Sequence, residues 1–537
     1  MPRATSSACS STTTRRSRGR PAMPSSAASP GAARWRTTRG DRNAAWWDDP
    51  PLAALPPSPG MLPCPSTYRN QVMIKALAHI SPETDRLSRY MAAAGRKRLP
   101  AAVVERVRLH ILDTFAAMVS GSRLLPGRRA IAYVEGLGGR REAAVAGSRI
   151  VTSAANAALA NGMLAHADET DDSHVASHTH PGCAVVPAAL AAAEKVRAGG
   201  AAFLRAVVLG YDVGCRLTRA LDVDALTAAF RSTHSFGGTF GAGAAAGCLF
   251  GLKPVQARHL LSYCAQLASG CTANVRDSEH IEKAFDFGGM PAHHGILAAT
   301  MVEAGFTGVD DIFSGERNFL DAFAPFPHPE ELCADLGQRY EVTHTNIKRW
   351  TVGSPMQAAL DSLEWLMREH GVTADEVDVV RVHLAPRASR TVDEAPMPNI
   401  NAQHLVAVML VDGTLGFSSS HDVARMKDPA VSALRRRVRI VPNEKLAAAR
   451  PARQAIVEID THNGRTLSRR TVTVRGTPAN PMDRTDVAAK ARGLMEPVIG
   501  TRRTSRLIDA VLSLEKLDDM TRLRPLFVPR VGGKAVP

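Results

Sequence analysis

The chain has eight cysteines, at 9, 64, 183, 215, 248, 264, 271 and 333, and no two form a C-x-x-C pair. That spacing argues against a zinc ribbon and the usual ligand set of an iron–sulfur cluster. It fits a reducing, cytoplasmic setting without a disulfide framework. Aromatic residues are sparse, at 5%. No uninterrupted apolar run approaches the ~18 residues of a membrane helix; the best, over 183–193 and 241–252, read as buried helices. Clustered charge is missing as well. The net +15 includes ten of the 66 Lys and Arg, against three of the 51 Asp and Glu, within residues 1–72. What remains is 56 basic against 48 acidic side chains spread over the rest of the chain, which is no footprint for nucleic acid.

Those first 72 residues also hold 11 of the 34 prolines in a Ser/Thr/Ala/Arg mixture without helical or strand period. Such composition does not offset the entropy of ordering, so a disordered or non-native extension is expected. A transit peptide and a basic tail for an anionic partner are the competing readings. A chain starting at Met73 is expected to fold.

From residue 73 to 346 the pattern is helical. Val104, Val107, Ile111, Phe115 and Met118 recur at spacings of three and four behind Pro100. Further helices are predicted at 153–166, 187–198, 202–221, 239–252, 254–271 and 291–304, the fourth dominated by glycine and alanine. After residue 346 the texture changes. A helix at 357–369 is followed by Val-rich strands at 376–384, 438–441, 455–460 and 471–475, with Asn463-Gly464 as a hairpin turn. The fold class expected is therefore mainly α: a large all-helical domain (73–346), an α+β lid (347–476), and C-terminal helices (477–537) packing back on the helical domain.

The densest polar stretch runs His166-Ala-Asp168-Glu169-Thr-Asp171-Asp172-Ser173-His174 and on to His178-Thr-His180-Pro181. So many ionisable groups between two apolar helices are costly to bury and point to a site. His178-x-His180 beside carboxylates admits a zinc or iron reading, although the spacing matches no helical metal motif. A second stretch, His234-Ser-Phe-Gly-Gly-Thr-Phe-Gly-Ala-Gly243, lacks the lysine of a P-loop and the acid of a dinucleotide fingerprint, so nucleotide cofactors are rejected. Lys283, before Gly288-Gly289-Met-Pro-Ala-His293-His294, and Lys348-Arg349 suit an anionic substrate.

Taken together and in this order, these stretches resemble the MmgE/PrpD family, which includes 2-methylcitrate dehydratases and cis-aconitate decarboxylases. The likeness runs from about Glu83 to Leu517 and adds Gly305-Phe-Thr-Gly308, Asp412-Gly413 and Asn480-Pro481. It implies a homodimer with the site in the helical domain and chemistry on di- and tricarboxylates without metal or organic cofactor. By that resemblance Glu169 is a site carboxylate, Ser173 falls where threonine is common, and His180 is the His-Pro histidine. Lys283 and Lys348 correspond to substrate-binding lysines, Lys283 to within one residue. The family's Phe-His is Phe230-Arg231 here, with His234 the stand-in once the loop is realigned. A histidine of the decarboxylases is Gly353, and their later tyrosine is His404.

The expectation is a cofactor-independent lyase, a dehydratase of a small hydroxy-carboxylate such as 2-methylcitrate. His180 and His234 do acid/base work, Glu169, Asp171 and Asp172 orient them, and Lys283, Lys348, Ser173 and His404 bind substrate. No metal, nucleic acid or membrane is called for. An isomerase, epimerase or decarboxylase of the same fold is the near alternative. A metal-dependent hydrolase or a non-catalytic binding protein is the distant one.

Overall fold

The computed structural model describes residues 80–530. The 1–72 extension, the start of the helical domain at 73–79 and residues 531–537 lie outside the described residues. Pro82–Ala94 is capped by Ser81, whose hydroxyl accepts from the Thr84 amide. Ala101–Gly121 buries Val107, Ile111, Phe115 and Met118, as a stripe at helical period requires. The central helices Ala154–Ala165, Pro181–Lys195, Gly200–Ala220, Thr233–Leu249 and Met290–Glu303 are rich in glycine and alanine and buried on most sides. Small residues let them approach closely: a Cβ on Gly214 would lie 2.5 Å from the Gly237 carbonyl oxygen.

Two helices begin six residues before their expected starts. Pro181, rather than Pro187, opens its helix, and Pro187 sits inside it. Thr233, rather than Thr239, opens the other, because the Ser232 side chain accepts from the Ser235 amide and caps it there. His234 is thereby in the first turn of a buried helix, not in a loop.

A second apolar core gathers Trp350, Val352, Leu360, Leu363, Leu405, Val406 and the inward residues of a four-stranded sheet. The strand order is Val438–Pro442, Val377–Leu384, Ala455–Thr461, Thr466–Thr471, with the first pair parallel and the others antiparallel. The hairpin turn is at Asn463-Gly464, with Gly464 at φ +82°. The turn is tight, so the return strand pairs Thr466 with Asp460 and ends at Thr471, where the sequence suggested it would begin. Arg484–Ile499 and Thr501–Leu512 follow, and their Val487, Ala491, Leu494, Leu507 and Val511 join the helical core. Ile347 belongs to the helical core and Trp350 to the second, so Lys348 stands at the passage between them. Ser173–His174 pairs antiparallel with Thr345–Asn346 and fixes the polar loop beside that passage.

Candidate functional site

The loop after the Ala154–Ala165 helix is held from three directions. Asp168 accepts from the amide and hydroxyl of Thr170, both at 2.8 Å, and pairs with His421 Nε2 at 3.0 Å. Lys490 Nζ donates to the Thr170 carbonyl at 3.0 Å and pairs with the buried Asp113 at 2.6 Å. A loop so tied presents its next side chains in one geometry.

Asp171 is fully buried, and its two oxygens take Nδ1 of His166 at 2.9 Å and Nδ1 of His180 at 3.2 Å. An ionised carboxylate can only accept, so both rings carry a proton on Nδ1. Burial works to raise the Asp171 pKa, but His166, His180 and Lys348 outweigh it and hold the group well below the usual carboxylate range. Glu169 behaves alike: burial is overcome by Lys283 and Lys348. Lys283 Nζ pairs directly with Glu169 Oε1. Lys348 Nζ donates to the Glu169 carbonyl at 2.6 Å and lies 3.6 Å from Asp171 Oδ1.

The aromatic floor comes from another segment. Phe285–Gly289 forms a single π-helical turn, a distortion common at functional sites. It presents Phe287, whose ring lies 3.5 Å from that of His234 and 4.4 Å from that of His166. His180 and His234 have ring centroids 5.2 Å apart. The turn packs flush because Gly162 faces it; a Cβ there would be 2.3 Å from the Gly288 carbonyl oxygen. Burial pulls the His180 pKa down to about 4, with Asp171 opposing and Lys348 assisting. Burial and the neighbouring histidines take His234 well below its ordinary value. Both rings are neutral near pH 7. Nε2 of His166 and Nδ1 of His234 are buried with no hydrogen-bond partner among the described residues, an arrangement that calls for a ligand.

His180, His234, Glu169, Asp171, Lys283 and Lys348 are thus brought together. Ser173 lies beside them, paired to Asn346 through a 3.4 Å side-chain contact. Two expected residues stand elsewhere. Asp172 faces away from the histidine pair, accepting from Tyr211 Oη at 2.6 Å and the Gly182 amide at 2.9 Å and bonding His110 Nδ1 at 2.9 Å. It anchors the loop to the helix rather than serving the histidines. His404 lies on the helix Ala402–Asp412 in the second core, where its charged neighbours are Arg425, Arg435 and Asp422. The family resemblance suggested a substrate contact; the packing of that helix directs the side chain to a different neighbourhood.

Three participants were not singled out beforehand. His166 sat in plain view within the polar stretch. His280 adopts the left-handed conformation, φ +60°, uncommon for a residue with a side chain. Its ring lies 5.2 Å from that of His166, and burial with Lys283 pulls its pKa down to about 3. Phe287 carried no signal beyond its Gly-Gly neighbours.

His166, Glu169 and His280 bring potential metal-ligand atoms within 4.8 Å of one another, as do His166, Asp171 and Cys183. The donor sets fit a divalent cation poorly. The Lys283 ammonium occupies Glu169 and that of Lys348 neighbours both carboxylates, while burial, reinforced by Asp171 and Asp172, raises the Cys183 pKa and keeps it a thiol. Two ammonium groups beside neutral imidazoles suit an anion.

Such a site suits an enzyme of the lyase kind that handles a carboxylate. The chain is a member of the MmgE/PrpD family: the N-terminal domain model matches residues 85–331 and the C-terminal domain model residues 350–516. A cis-aconitate decarboxylase-like protein, oryM, of Aspergillus oryzae (strain ATCC 42149 / RIB 40) is 25% identical over 462 residues, covering 80% of this chain and 94% of that protein. A cis-aconitate decarboxylase of Aspergillus terreus (strain NIH 2624 / FGSC A1156) is 24% identical over 470 residues, covering 80% and 92%. Among the described residues no helix is long and apolar enough to cross a membrane.

Proposed function

We propose that the protein is a dehydratase that removes water from a small hydroxy-di- or tricarboxylate of the 2-methylcitrate kind, working as a cytoplasmic homodimer through its own side chains. The observation that carries this reading is the Asp171 carboxylate bridging His166 and His180 beside a pair of lysines. His180 Nε2 takes the proton α to a substrate carboxylate. Lys283 and Lys348 receive that carboxylate and stabilise the charge developing on it. The imidazolium so formed, paired to Asp171, then protonates the departing hydroxide to water. His234, stacked on Phe287, lines the same space and excludes solvent from it.

Decarboxylation of a cis-aconitate-like acid is the second reading, favoured by the names of the relatives. The same cations would stabilise the carbanion left by CO2. Against it, Gly353 stands where the resemblance places a decarboxylase histidine. Isomerisation would use the same base without loss of water. Incubation with a panel of di- and tricarboxylates and mass spectrometry of the products separates the three. Loss of water is expected; loss of CO2 or an unchanged mass would replace the dehydratase reading, and no product from any member would overturn it.

A further inference from the structure

Beside Lys348 lies a cavity of about 480 Å³. Its size is that of a small-molecule site, roughly 300–1,000 Å³. Its body is apolar, lined by Val175, Ala176, Pro451, Val472, Val474 and Pro478, and Ser173 and Lys348 form the wall it shares with the polar site. The other cations in that wall are already neutralised. Arg219 and Arg339 pair with Glu341, and Arg475 with Asp486. Arg453 is the exception: it stands exposed at the cavity's rim and has no hydrogen bond or ion pair among the described residues, with Glu169 the carboxylate that acts on its charge. Its φ of +66° is a strained conformation of the sort kept where the surroundings require it. The cavity therefore offers an apolar volume with one uncommitted guanidinium at its edge, adjoining the place where a carboxylate would react.

We propose that this cavity receives an apolar substituent of the substrate, so that the preferred substrate is a di- or tricarboxylate bearing an alkyl chain longer than a methyl group. The proposal rests on the lyase reading above for its chemistry. Its geometric part, an apolar chain with an anionic end seated between Val474 and Arg453, stands by itself.

Two measurements keep these parts distinguishable. Across a series of 2-alkylcitrates from methyl to hexyl, kcat/KM should rise about fourfold per methylene over the first members, the effect of burying each CH2. Ala176→Trp and Val472→Trp fill the cavity from exposed wall positions and should flatten that rise. Turnover without chain-length dependence in the wild type overturns this inference and leaves the lyase reading intact. No turnover of any member overturns the lyase reading. Calorimetry with octanoate then decides the cavity alone: binding that Ala176→Trp abolishes and Arg453→Gln weakens about tenfold supports it, and no binding to the wild-type protein overturns it.

Discussion

A neutral imidazole whose Nδ1 proton is held by a buried carboxylate is a base at Nε2, and the same carboxylate stabilises the imidazolium once a proton arrives. His180 has that arrangement through Asp171. His180 also occupies the cap position of the Pro181–Lys195 helix, but its side chain makes no capping bond there and turns instead to Asp171. His180→Gln should lower kcat by ~10²–10⁴ with an unchanged Tm and a similar KM; unchanged turnover in the folded variant would sink the mechanism. Asp172→Asn should behave oppositely. It loses charge-assisted bonds to Tyr211 and the Gly182 amide, so stability should fall by about 1–3 kcal/mol while the surviving folded fraction keeps its kcat. Comparing denaturant midpoints with active-site-normalised rates distinguishes the two. The rate profile supplies a third test. A base must be deprotonated to work, and burial puts the His180 pKa at about 4. kcat/KM should hold from neutrality down to about pH 4 and fall below it, whereas an acid limb near the ordinary histidine value of ~6.5 would contradict the neutral buried ring.

At the scale of elements, the site depends on how closely two backbones approach. The π-helical turn at Phe285–Gly289 can press against the Ala154–Ala165 helix only because Gly162 and Gly288 have no side chains to separate them. Gly162→Ala should cost about 1–3 kcal/mol and displace Phe287 from the His166 and His234 rings, lowering kcat as well; a Tm and kcat both equal to wild type would show that the turn yields freely. The glycines were legible in the sequence, but their purpose was not, because a close approach is a property of two segments more than a hundred residues apart. The amphipathic Ala101–Gly121 helix could be read directly from its stripe. The helix containing His234 could not be bounded the same way, since a run buried on all sides has no apolar period to mark its start. Ser232 was the available signal, a capping residue seven positions before the expected beginning. The strand after Asn463-Gly464 was misplaced for a similar reason: it is mostly exposed, with two consecutive arginines and little apolar content, and only the tight turn sets its register.

At the scale of the molecule, the polar stretch identified its own importance by composition, whereas its partners arrive from far along the chain. Lys283 comes from the π-turn segment, Lys348 from the passage between the two cores, His421 and Arg453 from the second core, and Lys490 from the C-terminal helices. Resemblance supplied the two lysines; it also suggested His404, which packing sends elsewhere. Gathering so many titratable groups at a buried seam has a consequence for the whole fold. Burial depresses the histidine pKa to about 4 at His180 and about 3 at His280, so the unfolded chain takes up protons that the native state refuses as the pH drops below ~6.5. These groups therefore cost no stability above ~6.5, and stability is lost as the pH falls from ~6.5 to their folded values, where the loss is complete. Glu169 and Asp171, held well below their ordinary range by the lysines and histidines, act with the same sign and are lost lower still. Burial acts oppositely on Asp113, Asp212 and Asp286, raised to about 6, and on Glu194, raised to about 7, which gain stability as the pH falls, so the histidine part of the decline between pH 6.5 and 4 is read from the difference between wild type and variant. His180→Gln, which removes one refused proton, should shallow that decline. Scanning calorimetry at constant ionic strength measures it, and a Tm difference between wild type and variant that does not change between pH 6.5 and 4.5 would show that the His180 ring is protonated in the native protein and does not enter the reaction as a free base.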